Sequence, residues 1–293
     1  MGFIQLKSRA KINLSIDVVG KREDGYSLVE MIMQSIDLHD IIKIKELDNN
    51  KIIIKSNSSN MPLDKRNIAY KAAVLIKKEF NINKGLEIYI EKHIPIAAGL
   101  AGGSSNAAAI LVGLNKLWDL NLTEEELQNL GLRLGSDVPF CISGRPALAQ
   151  NIGEKLTYIK GLPDETNIVV CKPNLFVSTK EVYQNLNMAI VDTRPNTKLL
   201  LQKLEEEDIE TVSKNMVNVL ESVTSKKYKV INEIESIIMD FNALGTLMSG
   251  SGPTVFGIFK SEEDALKCKV ELLKSYKQVY FTKNSDKGAE INV

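Results

Sequence analysis

The stretch Pro95-Ile96-Ala97-Ala98-Gly99-Leu100-Ala101-Gly102-Gly103-Ser104-Ser105 runs straight into Asn106-Ala107-Ala108-Ala109. Little else in the chain limits its fold as strongly. Without side-chain bulk, backbone N–H groups can come close to an anion. A helix beginning here would point its free amides and positive dipole end at the same place. Two adjacent serines at its start can cap it, donate to phosphate oxygens or reach a magnesium ion. On composition alone the segment is equally well a flexible turn before a buried helix. It is not a Walker loop, because no lysine precedes the serine pair. The dinucleotide fingerprint and the protein-kinase signatures are absent too.

The surrounding pattern supplies the strand and helix that such a loop needs. Ile12–Ile16, Ile42–Lys45 and Leu86–Lys92 alternate as strands do, and Ile52–Ile54 is a β-branched run. Ile68, Ala72, Leu75 and Ile76 fall on one face of a helix over Asn67–Phe80. The loop helix is expected over Ser104–Leu117, and Thr123 with Glu126 forms a capping box for the next, which stops at Gly135. Strand-like and turn-like segments are expected from Asp137 to Gly161. The second half reads as a strand over Ile168–Cys171, helices over Thr179–Leu186, Thr197–Glu206 and Lys229–Phe241, then the glycine-rich Gly245–Gly252. A strand over Thr254–Phe259 and a helix over Glu262–Tyr276 follow. Strands and helices mix without strict alternation, so the fold class is α+β. Gly161 and Pro163 suggest a boundary between domains 1–160 and 161–293.

Charge and cysteine usage narrow the partners. Lys+Arg and Asp+Glu both total 37, so no basic excess points to nucleic acid. Cys141, Cys171 and Cys268 are an odd, widely spaced set with no CxxC, and the two histidines lie far from them. Packed thiols in a reducing, cytoplasmic setting are the expectation. No run approaches ~18 apolar residues and the first residues carry no apolar leader, so neither membrane nor export is expected.

Taken together, the motifs resemble those of the GHMP kinases. The loop follows their phosphate motif, Pro-x-x-x-Gly-Leu-x-x-Gly-Ser-Ser-x-Ala, in residues 95–107. The doubled Gly102-Gly103 is the form of the branch acting on a cytidine diphosphate-linked methylerythritol. Ala10-Lys11-Ile12-Asn13-Leu14, Asp24-Gly25-Tyr26, Gly135-Ser136-Asp137-Val138-Pro139-Phe140 and Ser249-Gly250-Ser251-Gly252 extend the likeness along the chain. The resemblance implies a two-domain fold, S5-like at the N-terminus and ferredoxin-like at the C-terminus, with the site between the domains. It also implies ATP-dependent phosphorylation of the 2-hydroxyl of that small-molecule substrate, with Mg2+ and with no metal ligands assigned. A monomer or homodimer fits equally. Homoserine or mevalonate kinase activity, or a non-catalytic relative, is the alternative.

Carried over residue by residue, Lys11 and Asp137 are the catalytic pair, facing each other beside the γ-phosphate. Pro95, Ile96, Ala97, Ala98, Gly99, Leu100, Ala101, Gly102, Gly103, Ser104 and Ser105 bind the nucleotide, with Asn67 on the adenine side. Asn13, Tyr26, Ser27 and Tyr183 meet the substrate, the two tyrosines on either face of the cytosine. Chemistry asks for such a set: a carboxylate to orient a hydroxyl and accept its proton, and a cation for the moving phosphoryl group. An ion pair with Lys11 would keep Asp137 ionised. Singly, Lys11 reads as a surface lysine, Asp137 as a cap and Asn67 as a helix cap. Two positions depart from the family: Ser27 stands where histidine is usual, and Asn106 where aspartate is common.

Overall fold

The structure, a computed structural model, describes residues 2–292. Its frame is one long antiparallel pair, β1 (Phe3–Lys21) and β2 (Ser27–Leu47), in register from Phe3 opposite Lys45 to Lys21 opposite Ser27. Sequence periodicity marks only short pieces of these strands. Residues 8–18 are buried on both faces, which erases the alternation a half-exposed strand would show. Bulges at Arg9/Ala10 and Asn13/Ser15 bend the pair in its middle.

β3 (Ile52–Ser56) lies parallel to β4 (Gly85–Glu91), and β4 runs antiparallel on β2. α1 (Ile68–Glu79) connects them, capped by Asn67. α2 (Gly102–Leu117) packs on the β1–β2 pair, where Gly113 leaves room for Leu6 and Ile44. α3 (Glu124–Leu132) begins at the Thr123–Glu126 capping box. Next comes α4 (Val138–Ser143), a helix where strand-like sequence was expected; Pro139 in its first turn is already shaped for it. β5 (Ala147–Gln150) then pairs with β2, and β6 (Lys155–Tyr158) with β5.

The second half is a four-stranded antiparallel sheet in the order β11 (Gln278–Ser285), β7 (Asn167–Lys172), β10 (Val255–Phe259), β9 (Gly245–Met248). α9 (Val230–Asp240) and α10 (Glu262–Leu273) cover it, which completes a ferredoxin-like arrangement. Between β7 and β9 come α5 (Thr179–Asn185), α6 (Thr197–Glu205), α7 (Ile209–Lys214), β8 (Val217–Asn218) and α8 (Glu221–Lys227). β8 pairs with β1 at Ser15 and Ile16, and β11 with β2 at Ser35 and Ile36. β12 (Ala289–Asn292) returns to pair with β1. One sheet therefore runs through both halves, and the expected α+β class holds.

A second core cluster joins the halves: Ile12 and Leu14 of β1, Phe256 of β10, and Ala98 and Leu100 of the loop. The three cysteines are buried and unpaired. No described helix is long and apolar enough to cross a membrane.

Gly144 ends α4 with φ +72°, and a Cβ there would stand 1.9 Å from the Gly288 nitrogen. The Gly288 N–H donates to Ser143 O at 2.9 Å, so the β11–β12 turn meets α4 backbone to backbone. Gly144→Ala is expected to cost more than about 2 kcal/mol in urea denaturation, from left-handed strain plus the clash. A loss within experimental error would show that the turn is not docked there.

Candidate active site

The loop between β4 and α2 is held from both sides. The Lys11 N–H donates to Leu100 O at 3.2 Å, and Ser249 Oγ donates to Gly99 O at 3.0 Å. Gly99 has φ +75°, and a Cβ on it would lie 2.2 Å from Ser249 O, so only glycine lets the loop meet the turn after β9. Ala97 and Ala101 also take positive φ. α2 starts two residues earlier than its sequence suggests, with Ala101 at the cap position and no side-chain cap. The first helical bond is Ser105 N–H to Ala101 O at 2.8 Å, which leaves the amides of Gly102, Gly103 and Ser104 without intrahelical acceptors. Three free amides at a helix start form an anion site.

The two serines divide their roles. Ser104 is half-buried at the free turn. Ser105, expected to cap the helix or reach phosphate, is fully buried; its Oγ lies 2.6 Å from Arg9 O and 2.7 Å from Ser8 Oγ. Its hydroxyl fastens α2 to β1, because it sits on the helix face that packs on the sheet.

Four of the expected residues converge beside the loop. Lys11 and Asn13 share one face of β1, and Lys11 Nζ donates to Asn13 Oδ1 at 2.6 Å. Asn13 Nδ2 in turn points to Met31 Sδ at 3.4 Å. Asp137 precedes α4 in a helical conformation and caps nothing with its side chain. Lys11 leans to Asn13 and forms no direct ion pair with Asp137, unlike the pairing expected. Both charges still reach the Cys141 thiol: burial pushes its pKa up, Asp137 adds to the rise, and Lys11 opposes it. The Tyr183 hydroxyl is pushed up to about 12 by burial and then by the nearby Asp137.

The remaining expected residues are arranged differently. Tyr26 is 62% exposed at the tip of the hairpin, where Asp24 accepts from Arg22 and from the Tyr26 N–H. Ser27 opens β2 opposite Lys21. No hydrogen bond among the described residues ties either to Lys11 or Asp137. Asn67 is buried with its amide in use: Oδ1 accepts from Ala69 N at 2.9 Å, and Nδ2 donates to Pro62 O at 2.8 Å. It is the helix cap that its position suggested.

Sequence reasoning missed Lys92 and Asp40. The loop does carry a cation: Lys92 Nζ lies 3.2 Å from where a Gly102 Cβ would stand. Lys92 closes the alternating run of β4 just before the loop, and that position was the available signal. Asp40, fully buried, is 2.5 Å from Lys92 Nζ. Asn106, which stands where aspartate is common in the family, points inward and donates to Asp40 Oδ2 at 2.7 Å and to Ser8 Oγ at 3.0 Å. Arg194, in a region without sequence signal, donates to both carboxylate oxygens of Asp17 at 3.1 Å and crosses the hairpin end of β1.

The turn Ser249–Gly252 is braced from beneath. Asn218 Nδ2 donates to Met248 O at 2.8 Å and to Gly250 O at 2.7 Å. Thr179 Oγ1 pairs with Ser251 Oγ at 2.8 Å, and a Glu221 carboxylate oxygen accepts from Met248 N at 2.9 Å. The pKa of the nearby Glu235 is pushed up to about 8 by burial and then by the Glu221 charge.

The chain is similar in sequence and fold to known proteins. The GHMP kinases N terminal domain model matches residues 67–145, and the GHMP kinases C terminal model matches residues 200–278. A 4-diphosphocytidyl-2-C-methyl-D-erythritol kinase of Clostridioides difficile (strain 630) is 66% identical, covering 99% of this chain and 98% of its own. The crystal structure of a 4-(cytidine 5'-diphospho)-2C-methyl-D-erythritol kinase superposes with TM-score 0.82 at 28% identity, over 96% of this chain and 99% of that one. A homoserine kinase from Cytophaga hutchinsonii shares the fold, with TM-score 0.77 at 18% identity over 100% and 98% of the two chains.

The Glu221–Glu235 pair gives a pH signature. Unfolded, Glu235 releases its proton near its ordinary 4.5; folded, it keeps it to about 8. Across that window the native state binds the extra proton, so stability falls as pH rises. The melting temperature should drop between about pH 4.5 and 8, and Glu235→Gln should remove much of that drop. An identical slope in the variant would mean the pair does not titrate this way.

Proposed function

This chain belongs to the GHMP kinases, among the 4-diphosphocytidyl-2-C-methyl-D-erythritol kinases, and on that footing we propose that its acceptor is the 2-hydroxyl of 4-diphosphocytidyl-2-C-methyl-D-erythritol. As a member of that family it is an ATP-dependent small-molecule kinase. The observation that carries the choice of acceptor is the identity of 66% over 99% of the chain with a relative of that name.

In this reading the ATP phosphates rest on the free amides of Gly102, Gly103 and Ser104, with Lys92 alongside. Asp137 has no cap to hold, so its carboxylate is available to orient the acceptor hydroxyl and take its proton. The hydroxyl oxygen bonds to the γ-phosphorus, the bond from that phosphorus to the β–γ bridging oxygen breaks, and ADP leaves. Lys11, steadied by Asn13, balances charge on the transferring group. Tyr183 keeps its phenolic proton at neutral pH, with a pKa of about 12, and can donate beside Asp137 without competing as a base.

Magnesium, when bound, would supply charge neutralisation along the triphosphate. The oxygen donor to hand is the Ser104 hydroxyl alone, since the Asp137 carboxylate serves the acceptor. So sparse a supply suits an ion that takes most of its ligands from phosphate and water. At the other end, Tyr26 offers an exposed ring for the cytosine, with Tyr183 closing from the α5 side. Ser27 is too short to span from β2 to a base edge as a histidine would. Asn67 shapes the turn before α1 on the adenine side.

ADP release from Mg·ATP should occur with the cytidine-linked acceptor and not with homoserine, mevalonate or galactose. Turnover with one of those instead would overturn the acceptor while keeping the kinase. Asp137→Asn should lower turnover by about 10²–10⁴-fold, the usual worth of a positioned acid–base group, with ATP affinity changed only a few-fold. Loss of ATP binding in that variant would make Asp137 a nucleotide or metal ligand.

A further inference from the structure

We infer that Asp40 is the positioning residue of the nucleotide site, a buried carboxylate that fixes both ends of the phosphate loop and the lysine beside it. The inference rests on reading residues 95–105 as the ATP loop.

Asp40 lies opposite Ser8 in the β1–β2 register, next to the bulge at Arg9/Ala10, and one residue before the β2–β4 ladder begins at Ile41 and Glu91. Beyond Glu91 the chain leaves the sheet; the Lys92 N–H donates to Asn57 Oδ1 at 2.8 Å, while the amides of His93 and Ile94 would lose their partners. Asp40 replaces those partners. Its Oδ1 accepts from the N–H groups of His93 and Ile94, both at 2.8 Å. Its Oδ2 accepts from Lys92 Nζ at 2.5 Å and from Asn106 Nδ2 at 2.7 Å. Four donors fill the lone pairs of one fully buried carboxylate.

The donors sit where the loop needs them. His93 and Ile94 stand immediately before Pro95, and Asn106 immediately after Ser105, so one side chain ties the entrance of the loop to its exit. Lys92, its side chain only 7% exposed, depends on the same group for its counter-charge while its ammonium stands against Gly102. An asparagine at position 40 would keep the shape but turn an NH₂ toward two of the four donors and leave Lys92 unpaired. Lys92 and Asn106 share Oδ2, so a carboxylate at position 106 could take over the role from the helix side.

The experiment compares Asp40→Asn and the double variant Asp40→Asn/Asn106→Asp with the parent. It measures ATP binding by equilibrium dialysis, KM for ATP and for the acceptor, kcat, and thermal unfolding. The single variant is expected to weaken ATP binding and raise KM for ATP by about 10-fold or more, with kcat and the acceptor KM within about 3-fold. The double variant, with amide and carboxylate exchanged, should bind ATP within about 3-fold of the parent. A folded single variant with parental ATP affinity overturns the inference, as does a folded double variant that stays as weak as the single. Should the single variant not fold, the double decides: parental ATP affinity supports the inference, and weak binding or no fold overturns it. A parent that binds no ATP would instead refute the reading of the loop, and would be seen before any variant.

Discussion

The site depends on a close approach of backbone to backbone. Gly99 and the Ser249–Gly252 turn come so near that a single Cβ would collide with Ser249 O at 2.2 Å. The two halves of the molecule thus meet at the phosphate loop itself. Ala98 and Leu100 are buried in the same apolar cluster as Ile12, Leu14 and Phe256, so the loop is part of the core and not a flexible appendage. Burial of that kind makes a backbone cradle rigid, since its residues cannot move without opening apolar surface to water.

That rigidity lets charges be kept in place at a tolerable cost. Lys11 is only 5% exposed, and an ammonium so deep would be expensive without an oxygen to meet it. Asn13, two residues along the same strand, supplies one without a charge, which leaves Lys11 free to answer a phosphoryl group. Asp137 is treated in the opposite way. It stands at a helix start, where aspartate normally spends its carboxylate on the backbone, yet makes no capping bond. Around these groups two supports run from side chain to backbone, Asn218 under the turn and Ser105 under α2, and a third joins the hydroxyls of Thr179 and Ser251.

Much of this was legible in the sequence where local chemistry dictates local form. Glycine and alanine at residues 97–103, the Thr123–Glu126 capping box and the helical faces of α1 and α2 all lie within a few residues of their cause. The likeness of residues 10–14, 95–107 and 135–140 to one family carried the class of enzyme. The extent of β1 and β2 was hidden because both faces are buried, and α4 because a run of five apolar residues, Val138–Ile142, shows no period. Ser105 looked like a phosphate ligand, but a helix starting at Gly102 turns it toward the sheet.

By itself the sequence determined the kind of loop, the helix behind it and the family, because those follow from side-chain size and short-range pattern. Only the tertiary structure decided which groups would meet. Asp40 and Asn106 are far apart in the chain, as are Gly99 and Ser249, and Asp137 and Tyr183. The bulged β1–β2 pair and the return of β11 onto β2 bring them together. No local pattern encodes such meetings, since the sheet register and the packing of two halves arise from the whole core at once.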